Sequence, residues 1–210
     1  MTCAERALVT VIATALSGCT GAMDYYGALG VQYGLSPNPT PARFSVCHDH
    51  TCAHVDEVRL TPADWRAVRA TFAAPAPDAA TERRQIAAAV ARLEQLVAPQ
   101  IGAENDRGGN LAGFTAGGSQ LDCIDESTNT TTYLTLLARD RLLHWHSVEP
   151  RATRNFIIFG WPHTTAVIRE NDSDARWAVD SWFHDNGQPP EIVPLAQWRD
   201  GWSPPGFRGF

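Results

Sequence analysis

A block of helical patterning followed by a run of β-type segments is what most constrains the fold of this chain. Thr61-Pro62-Ala63-Asp64 is a helix start, with a capping Thr, a Pro in the first turn and an acid at the third position. Trp65, Val68 and Phe72 supply its apolar stripe, and the stretch from Ala73 to Asp78 ends it with two prolines. A second helix begins at Thr81, where Ile86, Val90, Leu93 and Val97 recur at three- and four-residue steps until Pro99. Beyond residue 140 come Leu142–Val148, Asn155–Phe159, His163–Arg169 and Arg176–Phe183, separated by Glu149-Pro150, Gly160-Trp161-Pro162 and Asn171-Asp172-Ser173-Asp174. This succession predicts an antiparallel meander. Helices followed by strands predict an α+β domain, with N-terminal helices packed on an antiparallel sheet.

The 210-residue chain is 44% hydrophobic, enough to fill one core of ordinary size, placed here over 43–210. Its net charge of −6 comes without a basic run, which excludes a nucleic-acid footprint. All 17 basic side chains are Arg, so the chain holds no Schiff-base or P-loop lysine.

Residues 7–18 form an apolar stretch that is too short to span a bilayer but suits the h-region of a signal peptide. Leu16-Ser17-Gly18-Cys19 resembles the lipobox of bacterial lipoproteins. That resemblance implies that the signal peptide 1–18 is removed, that Cys19 carries lipid, and that the mature protein is membrane-anchored and faces the periplasm. Residues 19–42 are rich in Gly and Pro and read as a flexible tether with little regular structure.

With Cys3 in the signal peptide and Cys19 lipidated, Cys47, Cys52 and Cys123 remain of the five cysteines. Two short strands, 43–47 and 54–60, flank the first pair, so a Cys47–Cys52 disulfide across a tight loop is favoured. The competing reading is a metal site, because Cys47, His48, His50, Cys52 and His54 lie within eight residues.

Cys123 follows a Gly-rich connection over 100–121, which is either the rim of a substrate cleft or a solvated loop. It precedes an apolar helical stretch containing Tyr133, Leu134, Leu136 and Leu137. It therefore sits at a helix start, where the dipole favours a thiolate. His163 opens the third β run and Asp180 lies in the fourth. A turn centred on Asn171-Asp172 opposes them directly, whereas one centred on Asp172-Ser173 makes them diagonal neighbours on one face. Cys123, His163 and Asp180 then form a nucleophile, a base and its orienter, with a depressed thiol pKa as the expected sign of pairing. His144, His146, His184 and Asp185 are the rival groups. An inert buried cysteine is the plain alternative.

Asp122-Cys123, His163 and Asp180, in that order with the helix before the sheet, are similar to the papain-like superfamily, and most of all to its transglutaminase-like branch of bacterial cysteine peptidases. The resemblance covers roughly 115–200 and departs where Ile124 replaces the tryptophan that often follows the nucleophile. It implies a papain/transglutaminase-like core and a thiol peptidase, amidase or acyl transferase acting on a protein or peptide, with no cofactor and no metal. It also implies a role for Gln120, whose amide would serve an oxyanion beside the Cys123 backbone N–H. Asp122, Asp125 and Glu126 read as solvated partners of the helix dipole, with calcium ligation as the alternative. A non-catalytic lipoprotein module and a metal-binding lipoprotein are the competing functions.

Overall fold

The structure, a computed structural model, describes residues 21–110, 120–155 and 162–207. The signal-peptide reading of 1–18, the lipidation of Cys19, most of the Asn155–Phe159 run and the Gly-rich stretch 111–119 lie outside the described residues. The described chain is a mixed α+β structure: a two-stranded antiparallel hairpin, five helices and a four-stranded antiparallel sheet.

The elements in order are α1 (Gly21–Tyr33), β1 (Phe44–His48), β2 (His54–Val58), α2 (Pro62–Arg69), α3 (Ala79–Ile101), α4 (Cys123–Arg139), β3 (His146–Arg154), β4 (His163–Glu170), β5 (Arg176–Asp180), β6 (Glu191–Pro194) and α5 (Leu195–Arg199). Both helix starts follow capping chemistry. Thr61 and Asp64 exchange the hydrogen bonds of a capping box, and Asp78 caps α3 through Thr81 N. Pro99 lies inside the last turn of α3 rather than ending it, at the cost of the bond that an N–H there would give to Gln95 O, and Gly102 closes the helix at φ 72°.

The helix α4 is the centre of the molecule. Every residue from Asp125 to Leu137 is buried, although seven of those thirteen are Ser, Thr or Asn. The hydroxyls make this possible by bonding back into the helix, with Thr131 donating to Ser127 O at 2.7 Å and Thr135 to Thr131 O at 2.8 Å. Tyr133, Leu134, Leu136 and Leu137 meet Phe44 and Val46 of β1, Ile86, Leu93 and Val97 of α3, and Ala166 and Ile168 of β4 in one core.

Three sequence expectations are corrected. Residues 19–42, read as a tether with little regular structure, contain α1, whose Tyr26 and Leu29 are buried against the Cys47 and Cys52 side chains. Glu149-Pro150 is not a break. β3 runs through it with a bulge between Glu149 and Ala152, tolerated because β3 is an edge strand where a missing N–H costs no ladder bond. The first β run starts later than expected, at His146, because the His144 and Trp145 N–H groups are taken by Glu82 instead of a strand partner. The fourth strand of the sheet is β6, antiparallel to β5.

Candidate active site

Cys123 is the first residue of α4, directly after its cap Asp122, whose carboxylate accepts from the N–H groups of Ile124 and Asp125. It is the free cysteine among the described residues, because Cys47 and Cys52 stand at disulfide distance with their Cα atoms 4.7 Å apart. The pairing of β4 with β5 matches Val167 to Ala178 and Ile168 to Trp177, so the turn is centred on Asp172-Ser173 and His163 and Asp180 are diagonal neighbours. His163 Nε2 meets Asp180 Oδ2 at 2.7 Å, both side chains buried.

Sequence reasoning missed what surrounds this pair. Trp198 of α5 donates its indole N–H to the same Asp180 oxygen at 2.6 Å. The imidazole lies 4.6 Å from the Trp182 ring, 5.4 Å from Phe183 and 5.4 Å from Trp198, centroid to centroid. Arg154 covers Trp198 at 4.5 Å and binds the carbonyl oxygens of Trp198 and Trp202. The density of tryptophan beyond residue 140 was the one signal of such an enclosure.

The thiol meets β4 from the other side. Its hydrogen bond is to the carbonyl of Pro162, at 3.9 Å, and the Thr164 backbone also interacts with it, so the sulfur stands against the strand backbone on either side of His163. Strand alternation explains this. Ala166 and Ile168 face α4, whereas Val167 and Ala178 face Trp198 on the opposite side, and His163 shares the parity of Val167. The three groups thus converge on one end of β4, with the His163–Asp180 pair on the α5 face. The expected depression of the thiol pKa is reversed. Burial pushes Cys123 up to about 12, and the Asp122 and Asp180 charges add to the shift.

Gln120 is occupied elsewhere. Its Nε2 donates to Asn105 O at 3.0 Å, and its Oε1 accepts from Arg107 N and Asn110 Nδ2. It ties down the first part of the Gly-rich connection, which also docks on the aromatic enclosure. Gly109 N donates to Trp182 O, Arg107 pairs with Asp185, and a Cβ on Gly108 would stand 2.5 Å from Phe183 O.

The rival bases have structural partners. His146 binds Glu82 at 2.9 Å through Nδ1 and Arg83 at 3.2 Å through Nε2, which fastens α3 to β3. His184 pairs with Glu191 at 2.9 Å. Burial opposes ionisation of Glu82, but hydrogen bonds from His146 and from the His144 and Trp145 N–H groups outweigh it and hold the carboxyl below its usual range.

Asp125 and Glu126 are not solvated; they are 0% and 5% exposed. Asp125 accepts from Cys52 N at 2.7 Å and His50 N at 2.8 Å, and Asp122 accepts from Thr51 N at 2.9 Å. Two of the carboxylates weighed as calcium ligands, Asp122 and Asp125, thus clamp the disulfide loop onto the start of α4. Behind them, Glu94, Asp106 and Glu126 form a buried acidic cluster beside a small cavity that Glu94, Leu121, Glu126, Asn129 and Tyr133 help to line. Burial raises Glu94 and Asp106 to about 7 each, and Asp125 to about 7. Glu126 is pushed well above its usual range by burial and by the charges of Glu94 and Asp106.

Comparison with protein-family models, with curated proteins and with solved structures finds no match in any of the three.

Proposed function

We propose that this chain is an exported, lipid-anchored thiol enzyme of the transglutaminase-like class, cutting or transferring an amide or peptide bond with a Cys123–His163–Asp180 set on a papain-like core. The observation that carries the reading is the His163–Asp180 bond at 2.7 Å, locked by the Trp198 indole and enclosed by aromatic rings at the strand end where α4 presents its free thiol. A carboxylate so held selects the imidazole tautomer and stabilises the imidazolium that forms on proton transfer. The thiol is neutral at rest. Attack therefore needs His163 to accept the thiol proton as the sulfur bonds to the carbonyl carbon, and then to return it to the leaving amine as the C–N bond breaks. Water or an amine resolves the thioester. This requires the imidazole to reach the sulfur from the α5 face of β4.

The raised thiol pKa and that facing favour a second reading, a lipoprotein that keeps the fold as a binding or assembly module without turnover. An acylation assay separates the two. A p-nitrophenyl ester should acylate Cys123 in the full chain, and His163→Ala should slow this by about 100-fold or more, the usual worth of a general base. Asp180→Asn should slow it less. Equal rates in wild type and His163→Ala, with Cys123 acylated no faster than a free thiol, would leave the binding module standing.

The anchoring reading has its own check. Cys19→Ser should move the protein from the detergent phase to the soluble or unprocessed fraction in a bacterial host. Unchanged partitioning would remove the membrane tether. An oxidising compartment also fits the Cys47–Cys52 pair.

A further inference from the structure

We infer that the disulfide loop carries a site for one divalent transition-metal ion of the zinc type, ligated by His48 Nδ1, Asp49 and His54 Nδ1. These residues offer ligand atoms that all lie within 4.8 Å of one another. His54 Nδ1 is 2.8 Å and His48 Nδ1 3.4 Å from the same Asp49 oxygen. Ligands on a tetrahedral zinc with bonds of about 2.0–2.1 Å stand roughly 3.3 Å apart, so the donors need to move little.

Hydrogen bonding supports a cation more than a self-contained polar cluster. His48 Nδ1 and Asp49 Oδ1 are buried and have no hydrogen-bond partner. Buried polar atoms left in that condition are costly, and a ligand would satisfy them. His48 also carries the outer partner typical of a metal-bound imidazole. Its Nε2 lies 3.1 Å from Asp56 Oδ2, so a proton held there leaves the Nδ1 lone pair facing Asp49 and His54. The imidazoles of His48 and His54 stack with centroids 5.6 Å apart and planes 21° apart, and both Nδ1 atoms lie against the same Asp49 oxygen.

The backbone holds the donors in place. Asp49, His50, Thr51 and Cys52 all have positive φ, between 55° and 62°, an unusual run for residues other than glycine. The hairpin β1–β2, the Cys47–Cys52 bridge and the Asp122 and Asp125 clamps keep this turn closed. Two imidazoles and one carboxylate suit Zn(II), Co(II), Ni(II) or Cu(II) rather than Mg(II) or Ca(II), which prefer oxygen ligands throughout. The His54 side chain is 66% exposed, so solvent completes the coordination on that side.

The site differs from the reading weighed on sequence. Cys47 and Cys52 are bridged, and the donor set is His-Asp-His with no thiolate. It is also independent of the Cys123 chemistry, and its test can fail without touching that proposal.

The test is titration of the chelator-treated, oxidised full chain with Co(II), followed by displacement with Zn(II). One equivalent of Co(II) should bind saturably and develop visible absorption, and Zn(II) should raise the melting temperature. Asp49→Asn keeps a residue type that accepts positive φ and should weaken binding by 100-fold or more, as should His54→Ala at its exposed position. Asp56→Asn should weaken it by about 10–100-fold, while Cys123→Ser should bind as wild type does. Absence of saturable binding would mean that the contacts of His48 and His54 with Asp49 and Asp56 are all the loop holds. Binding that survives Asp49→Asn and His54→Ala, or that disappears with Cys123→Ser, would place the metal elsewhere. Either result overturns the inference.

Discussion

Thermal stability should fall, not rise, as the pH increases from about 4.5 to about 8.5, the result of the buried acidic cluster around α4. Glu94, Asp106 and Asp125 have folded-state values near 7, and Glu126 is also raised, with burial the leading cause in each. A carboxyl raised in the folded state binds a proton there that the unfolded chain has already lost. Its stabilisation is full below the unfolded value, near 4, and disappears as the pH rises through about 7. For Glu94 alone, moved from 4.5 to about 7, the span corresponds to about 3 kcal/mol. In a chain of this size that is a fall in melting temperature of about 6–12 °C. Glu82 acts in the opposite sense, because its lowered carboxyl loses stabilisation only as the pH falls through its folded value, below the usual range. Calorimetry across this range should show the decline, and Glu126→Gln or Asp106→Asn should flatten it. Stability that increases steadily to pH 8.5 would mean that these groups are solvated.

Asp125→Ala should be among the most damaging single substitutions in the chain. Its carboxylate accepts from three backbone N–H groups, of Cys52, His50 and Asp122, and truncation would strand the buried ones without a partner. At about 1–3 kcal/mol for each buried donor left unmet, the loss should reach about 3 kcal/mol or more. The turn of four positive-φ residues would lose its principal clamp, so the Cys47–Cys52 bridge should become more accessible to reductant. Asp125→Asn keeps one of the two accepting oxygens and removes a buried charge, so its cost should be smaller than that of Asp125→Ala above about pH 7. Equal effects for the Ala and Asn variants would show that the carboxylate's hydrogen bonds do not hold the loop.

Local patterning carried most of the element assignments. The Thr61 capping box, the apolar stripe of α3, the Cys47–Cys52 hairpin and the helix start at Cys123 are set by neighbours a few residues apart, and each was legible in the sequence. The His163–Asp180 contact was legible in part, since two registers of the turn put them on one face and a one-residue slip would not; the sheet takes the diagonal register. Helix α1 was not, because a Gly-rich segment with weak intrinsic helicity is held by packing of Tyr26 and Leu29 against the disulfide loop. The continuation of β3 through Pro150 depended on its edge position, which is a property of the assembled sheet.

The protonation chemistry belonged to tertiary structure alone. Sequence put Asp125 and Glu126 at a helix start and suggested solvated carboxylates with a thiol favoured as thiolate. Folding buries that helix on all sides, and desolvation then outweighs the dipole, raising the carboxyls and the thiol together. The Trp198 donor likewise depends on where separate segments of chain meet. Sequence on its own determined the order of helices and strands and the free thiol at a helix start. Which atoms face one another, and which of them keep their protons, was decided only by close packing, because electrostatic cost depends on distance and exclusion of water rather than on spacing along the chain.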